Sequence, residues 1–156
     1  QYRNLYLCVV YLDKPYFSDN ASIYFPESKY PFTRIYEPKN RSIDMAPKDK
    51  TCIVVEIPYN QSEVFLKPQE LIFKQISDLL LDNELIKKEQ IISHRFIDLQ
   101  YAYPVLQIGL QEKLNNIFSY LSRFKNLYTI GRNAQFEYTH THDIFKNVSS
   151  LINEIS

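Results

Sequence analysis

Asn4 to Leu12, N-L-Y-L-C-V-V-Y-L, is an almost unbroken apolar and β-branched run. Such a run predicts a strand covered on both faces, and so one placed centrally in a sheet. Asp13-Lys14-Pro15 stops it, and a turn through Ser18-Asp19-Asn20 leads to a second strand, Ala21 to Phe25. Pro26 and Pro31 bracket a connection. Phe32 to Tyr36, F-T-R-I-Y, alternates as a half-exposed strand does, with Phe32, Arg34 and Tyr36 on one face and Thr33 and Ile35 on the other. Glu37 to Asp49 carries Pro38, Asn40, Ser42, Asp44 and Pro47 and reads as a loop too polar for a core element. Thr51 to Ile57 is another buried strand, which Pro58 is expected to end.

Helical spacing begins after a polar connection. Pro68 suits a first turn, Glu70 adds favourable charge there, and Leu71, Ile72, Ile76, Leu79 and Leu80 recur as a core-facing stripe through Leu81. A charged turn over Asn83 to Gln90 precedes a strand from His94 to Tyr101. Y-A-Y-P ends that strand at Pro104, because the residue before a proline is held extended and proline cannot continue the ladder. Gly109 precedes a second helix to about Arg123, with Leu110, Leu114, Ile117, Phe118 and Leu121 on its stripe. Leu127 to Ile130 reads as a short strand running into Gly131-Arg132, and a polar T-H-T-H-D turn opens a last helix carrying Ile144, Val148, Leu151, Ile152 and Ile155. Strands thus come first and then alternate with helices. The expected class is α+β, a mixed, mainly antiparallel sheet with about three helices, in a single domain over residues 1–156.

Composition agrees with a folded chain: 45% of residues are hydrophobic and 15% aromatic. Lysine and arginine balance aspartate and glutamate, 18 against 18, so no global field attracts nucleic acid or an anionic membrane. Any anion binding falls to local arginines. No run approaches the roughly 20 apolar residues of a membrane span. Cys8 and Cys52 each sit inside a β-like run, where a thiol acts as a small core residue, and a reducing, cytoplasmic setting is expected. The chain opens without Met and ends inside a helical pattern, which suggests a fragment of a longer protein.

With Gly109 and Gly131 as the only glycines, a G-x-G-x-x-G fingerprint, a phosphate-binding P-loop and a G-x-S-x-G elbow are all excluded. His94 reads as a partly exposed or hydrogen-bonded sheet residue, and His140 with His142 lacks the companions of a zinc site. Glu56 and Asp98 each interrupt an apolar strand, as salt-bridged or edge-exposed acids or as a carboxylate pair. Arg34, sharing a face with two aromatics, reads either as a pocket wall or as an arginine stacked on rings at an exposed sheet surface. The Gly131-Arg132 corner admits two readings as well: a site edge, where glycine allows positive φ or the close approach of a flat ligand, or a plain surface loop.

At G-R-N-A-Q-F-E-Y-T-H-T-H-D the chain resembles the C-terminal end of flavin-dependent amine-oxidase-like proteins, in the branch of protoporphyrinogen-oxidase-like proteins and UDP-galactopyranose mutases. F-P-E-S-K-Y-P-F-T-R with E-P-K-N-R-S after it, and Y-A-Y-P, extend the resemblance upstream in the family's order. Departures are Ala134 at the corner's second glycine, Thr141-His142-Asp143-Ile144 at the turn, and Ser149 and Ser150 where Gly or Ala is usual. The resemblance implies a fragment of an FAD-linked oxidoreductase fold lacking the Rossmann domain, with a substrate-binding domain and a flavin-contacting strand-loop-helix over 127–156. It implies FAD in the longer protein, contacted by Gly131, Arg132, His142, Asp143 and Ile144, and a substrate held by Arg34, Tyr103, Arg132 and Tyr138.

The expected partners are then an N-terminal dinucleotide-binding domain of the same chain and a small molecule such as a nucleotide-sugar of surface-polysaccharide synthesis. This fragment alone is expected to be inactive. A non-catalytic module that binds a phosphorylated sugar or nucleotide-sugar, and a homo-oligomer contact through the tyrosine-rich sheet face, stand as alternatives.

Overall fold

The computed structural model describes residues 1–60 and 68–155. These form two compact units, Tyr2–Tyr103 and Gln1 with Pro104–Ser156. The first is the sheet unit. Its strands are β1 (Tyr2–Leu12), β2 (Ser22–Tyr24), β3 (Arg34–Tyr36), β4 (Thr51–Asn60) and β5 (Ile91–Pro104), in the spatial order β2-β3-β4-β1-β5. Every pairing whose register is described is antiparallel, so the expected α+β class, with its mainly antiparallel sheet, is what folds.

β1 is interior, as its apolar run requires. Its even positions Tyr6, Cys8, Val10 and Leu12 join Ile53, Val55 and Ile57 of β4 and Ile35 of β3 in the main core. Helix α1 (Gln69–Asp82) supplies Ile72, Ile76 and Leu80 to the same cluster. The odd positions Leu5 and Leu7 form a smaller cluster with Val54 on the other face, against which Tyr36, Ala102 and Tyr103 pack. Period-two alternation thus gives β1 two separate apolar jobs. It also sends Cys8 and Cys52 to opposite faces, since Cys8 lies opposite Val55 while Cys52 lies opposite Tyr11, and both thiols are free.

Four sequence expectations change. β4 continues through Pro58, which pairs with Leu5. Glu56 turns its carbonyl toward β3, accepting from Thr33 at 3.0 Å; two residues on, Pro58 faces that same edge where β3 has run out, so its missing donor leaves no gap. Phe32 does not share the face of Arg34: it precedes the three-residue β3 and turns into the main core, 2% exposed, against Phe25 and Tyr30. The 37–49 segment is not merely a solvated loop. It contains single 3-10 turns at Pro38–Asn40 and Ile43–Met45 and buries Glu37 and Lys39 at 1% and 3% exposure. The polar connection expected before Pro68 falls, from 61 to 67, outside the described residues.

The fourth change is in the helical unit, which holds α2 (Leu110–Leu121), the one-turn α3 (Arg132–Gln135) and α4 (Thr141–Ile155). Leu127 to Ile130 is not a strand there. Four residues with Leu127 and Tyr128 about half exposed meet no neighbouring strand among the described residues of this unit, and β structure needs a partner ladder. The segment instead walls an open groove of about 490 Å³, with Phe118 and Leu121 of α2 and Leu151 of α4.

Candidate functional site

In the sheet unit, the register lines up one side chain per strand on the face opposite α1. Tyr24 of β2 pairs with Arg34 of β3, Arg34 with Glu56 of β4, and Glu56 with Leu7 of β1. Directly opposite residues stand close enough to interact across strands. Arg34 Nε donates to Glu56 Oε2 at 2.9 Å, its Nη2 donates to Glu56 Oε1, and its Nη1 donates to the Tyr24 hydroxyl at 3.3 Å. Its guanidinium carbon lies 5.8 Å and 5.5 Å from the Tyr24 and Tyr36 ring centres. The pair is only partly shielded, at 24% exposure for Arg34 and 9% for Glu56. Hydrogen bonding to Glu56 holds the Arg34 guanidinium well above its ordinary range, and burial pushes the Tyr36 phenol up.

Arg34 thus stacks on rings, and one edge of its fork is fixed by a carboxylate. The fixed edge leaves one N–H on each of Nη1 and Nη2 for an incoming oxygen. Tyr103 packs beside Tyr36 in the smaller cluster, whereas Tyr101 goes elsewhere. At Tyr101 the backbone turns to φ 57, its amide donates to the buried Asn4 side chain at 2.9 Å, and its ring meets Tyr2 edge-on. A positive φ inside a strand breaks the regular alternation and re-aims the side chains around it. Glu56 and Asp98 do not form a carboxylate pair; Asp98 instead accepts from the Tyr59 hydroxyl.

In the helical unit, Gly131 has φ 92, a backbone conformation that side-chain-bearing residues avoid, and the space where a Cβ would stand is open to 4 Å. The chain then makes the α3 turn and leaves it through Phe136 at φ 59. This reversal brings the Arg132 guanidinium carbon 5.0 Å from the Tyr138 ring centre, and the Tyr138 hydroxyl donates to the Pro104 carbonyl at 2.7 Å. Arg132 and Tyr138, both expected from the resemblance to hold substrate, are therefore in contact. Arg34 and Tyr103 belong to the sheet unit and these two to the helical one.

At the start of α4, the Asp143 and Ile144 amides donate to the His140 carbonyl at 3.0 and 3.1 Å. Of the three residues matched to the flavin turn, only His142 stands early enough in the first turn for its amide to point off the helix end. The His140 and His142 rings lie parallel at 5.5 Å, and His142 Nε2 is 3.5 Å from Asp143 Oδ2. His94 stacks on Phe73 at 3.7 Å with Glu70 nearby, a packed sheet histidine as expected. No cluster of metal-ligating side chains occurs among the described residues. No described helix is long and apolar enough to cross a membrane.

Sequence reading missed Tyr24 as a member of the Arg34 cluster and missed Glu56 as the partner of Arg34. The signal was available: an arginine and a glutamate each interrupting a strand of apolar residues. Buried charges in neighbouring strands are satisfied most readily by each other.

No family model matches the sequence, and no curated protein matches it. Solved structures do. The fold is shared with a reduced UDP-galactopyranose mutase, at a TM-score of 0.77 and 18% identity over 93% of this chain. It is shared also with a protoporphyrinogen oxidase-like protein from Exiguobacterium sp. 255-15, at a TM-score of 0.69 and 12% identity over 99% of this chain. The chain spans about a third of each of these, 32% and 35% respectively. The resemblance drawn from the motifs is thereby borne out at the level of the fold.

Proposed function

We propose that this chain is the substrate-binding and flavin-contacting part of an FAD-dependent oxidoreductase or mutase acting on a nucleotide-sugar. The observation that carries the reading is the Arg34 fork, fixed by Glu56 on an aromatic sheet face with N–H groups left to donate. A pyrophosphate has oxygens spaced for such a fork, and the tyrosine rings offer a base or a sugar the amphipathic surface it packs on. Residues 127–156 would meet the flavin. The open space at Gly131 and the outward amide of His142 fit a flat ring, rimmed by carbonyl and nitrogen acceptors, laid against backbone.

Bound there, FAD would supply the redox or covalent chemistry. The chain's own residues bind and orient. Arg34 in the sheet unit and Arg132 in the helical unit would each offer a fork to phosphate oxygens, with Tyr103 and Tyr138 as the aromatic substrate contacts of their own units. Glu56 holds Arg34 in one rotamer, so ordering it on binding costs little. The exposed apolar faces of the helical unit are where a dinucleotide-binding domain of the same protein would pack.

Titration of the chain with UDP-galactose and with UDP tests the substrate half of this reading. Arg34→Ala is expected to weaken UDP binding by about tenfold or more, the loss of one charge-assisted contact. Unchanged affinity in the variant would remove Arg34 from the site. Absorbance of the full-length protein purified from cells tests the flavin half. A yellow protein supports it, and a colourless protein that takes up no FAD but still binds UDP leaves the non-catalytic binding module as the reading.

A further inference from the structure

Lys39 lies in a run of turns yet is 3% exposed. Its ammonium meets four backbone carbonyl oxygens: Pro47 at 2.6 Å, Lys50 at 2.8 Å, Lys48 at 2.9 Å and Pro15 at 3.0 Å. An ammonium has only three protons to donate. Four converging oxygens at similar distances therefore describe something other than one hydrogen bond per proton: a small cation inside a shell of carbonyl dipoles that replace its hydration water. The Tyr16 ring, 4.8 Å from the nitrogen, closes another side with its negative face.

The 47–50 side of the shell closes on itself without the ion. Lys50 N donates to Pro47 O at 3.2 Å, closing the turn that aims three of the four carbonyls inward. The one buried carboxylate close by in sequence, Glu37, turns instead to the Phe17 and Ser18 amides, the Asn40 side chain and the Thr51 hydroxyl. Oxygens at 2.6 to 3.0 Å stand farther out than the about 2.3–2.6 Å of a calcium shell. That spacing suits a monovalent ion of ammonium's size, and potassium is the metal ion of that size. Lys39 also lines an open cavity whose wall includes Tyr16, Asp44, Lys48 and Asp49, which gives the shell a path to solvent.

We propose that Pro15, Pro47, Lys48 and Lys50 form a monovalent-cation site that Lys39 fills from within, a tethered ion tying two loops together. Shortening that side chain should turn the fold into a potassium-binding one.

Thermal unfolding of the full chain and of Lys39→Ala tests this in potassium, lithium and choline chloride at equal ionic strength. The unmodified chain should not distinguish the salts. Lys39→Ala should melt earlier in choline and recover in potassium, its folded-to-unfolded ratio rising about tenfold per tenfold potassium above the dissociation constant. Lys39→Met, which fills the shell with an apolar chain, should show no potassium response. Equal behaviour of Lys39→Ala in all three salts would overturn the proposal. Should that variant be unfolded in choline chloride, refolding from urea into each salt decides the matter. Recovery in potassium alone supports the site, and failure in both potassium and choline rejects it.

Discussion

The two units treat the same kind of sequence in opposite ways. Both contain amphipathic helices with isoleucine and leucine at helical spacing, yet α1 buries Ile72, Ile76 and Leu80 completely while α2, α3 and α4 bury no residue fully. Ile117, Tyr120, Phe145 and Ile155 stand at least half exposed in the helical unit. The difference lies in what each stripe finds within its own unit. The sheet offers α1 a surface tiled by Tyr6, Cys8, Val10 and Ile53, and a helix of ordinary length gains most of its stability from such packing. Helical periodicity therefore announces that a face wants covering, not that it is covered.

The sharpest way to break that comparison is a pair of identical substitutions. Ile76 is 0% exposed and Ile117 is 53% exposed, each within the body of a helix. Ile76→Ala should cost about 3–4 kcal/mol in urea denaturation, through lost burial and the cavity left in the core. Ile117→Ala should change stability by no more than about 0.5 kcal/mol, with alanine's better helix propensity offsetting the lost contact. A large loss at Ile117 would mean that another surface covers the helical unit in the folded protein, and would merge the two cases.

A second contrast sits inside the sheet unit and has nothing apolar about it. Glu37 accepts four hydrogen bonds while 1% exposed. Glu37→Gln keeps the shape but removes the charge and turns one acceptor into a donor, facing the Phe17 and Ser18 amides that only donate. A loss of about 2–3 kcal/mol is expected in the same denaturation series. A loss below about 0.5 kcal/mol would show that the 37–49 segment is held by its turns alone.

These cases mark how far the sequence could be read. Local periodicity located β1, β4, α1, α2 and α4, because each carries its own alternation or stripe over many residues. It failed where a residue's fate was decided by a neighbour distant in sequence. Pro58 stays in a strand because β3 stops early. Glu37 and Lys39 are buried because Phe17, Thr51 and Pro15 come to meet them, and Leu127 to Ile130 has strand-forming residues without a strand beside it. The site divides along the same line. Gly131 was legible from its residue type, since its φ of 92 is one few other residues adopt. Arg34 was legible as a candidate, but its partner Glu56 was not, because pairing depends on register and register is a property of the whole sheet.

The smallest effect separates the two faces of that sheet. Cys8 lies in the main core, and burial pushes its thiol up to about 12 from an ordinary value of 9.0. Cys52, on the other face and only partly buried, is also raised by burial. A thiol whose pKa is higher folded than unfolded keeps its proton longer in the folded chain. Its contribution is thus complete below about pH 9 and is lost progressively as the pH rises toward 12. Stability should fall across the accessible start of that window, and Cys8→Ala should flatten the fall while lowering stability at neutral pH. The thiolate is the reactive form, so alkylation at pH 8.5 offers an independent check: Cys52 should be modified first, with Cys8 reacting only at the rate of global unfolding. Equal rates would place Cys8 outside the protected core, and with it the claim that β1 is sealed on the α1 side.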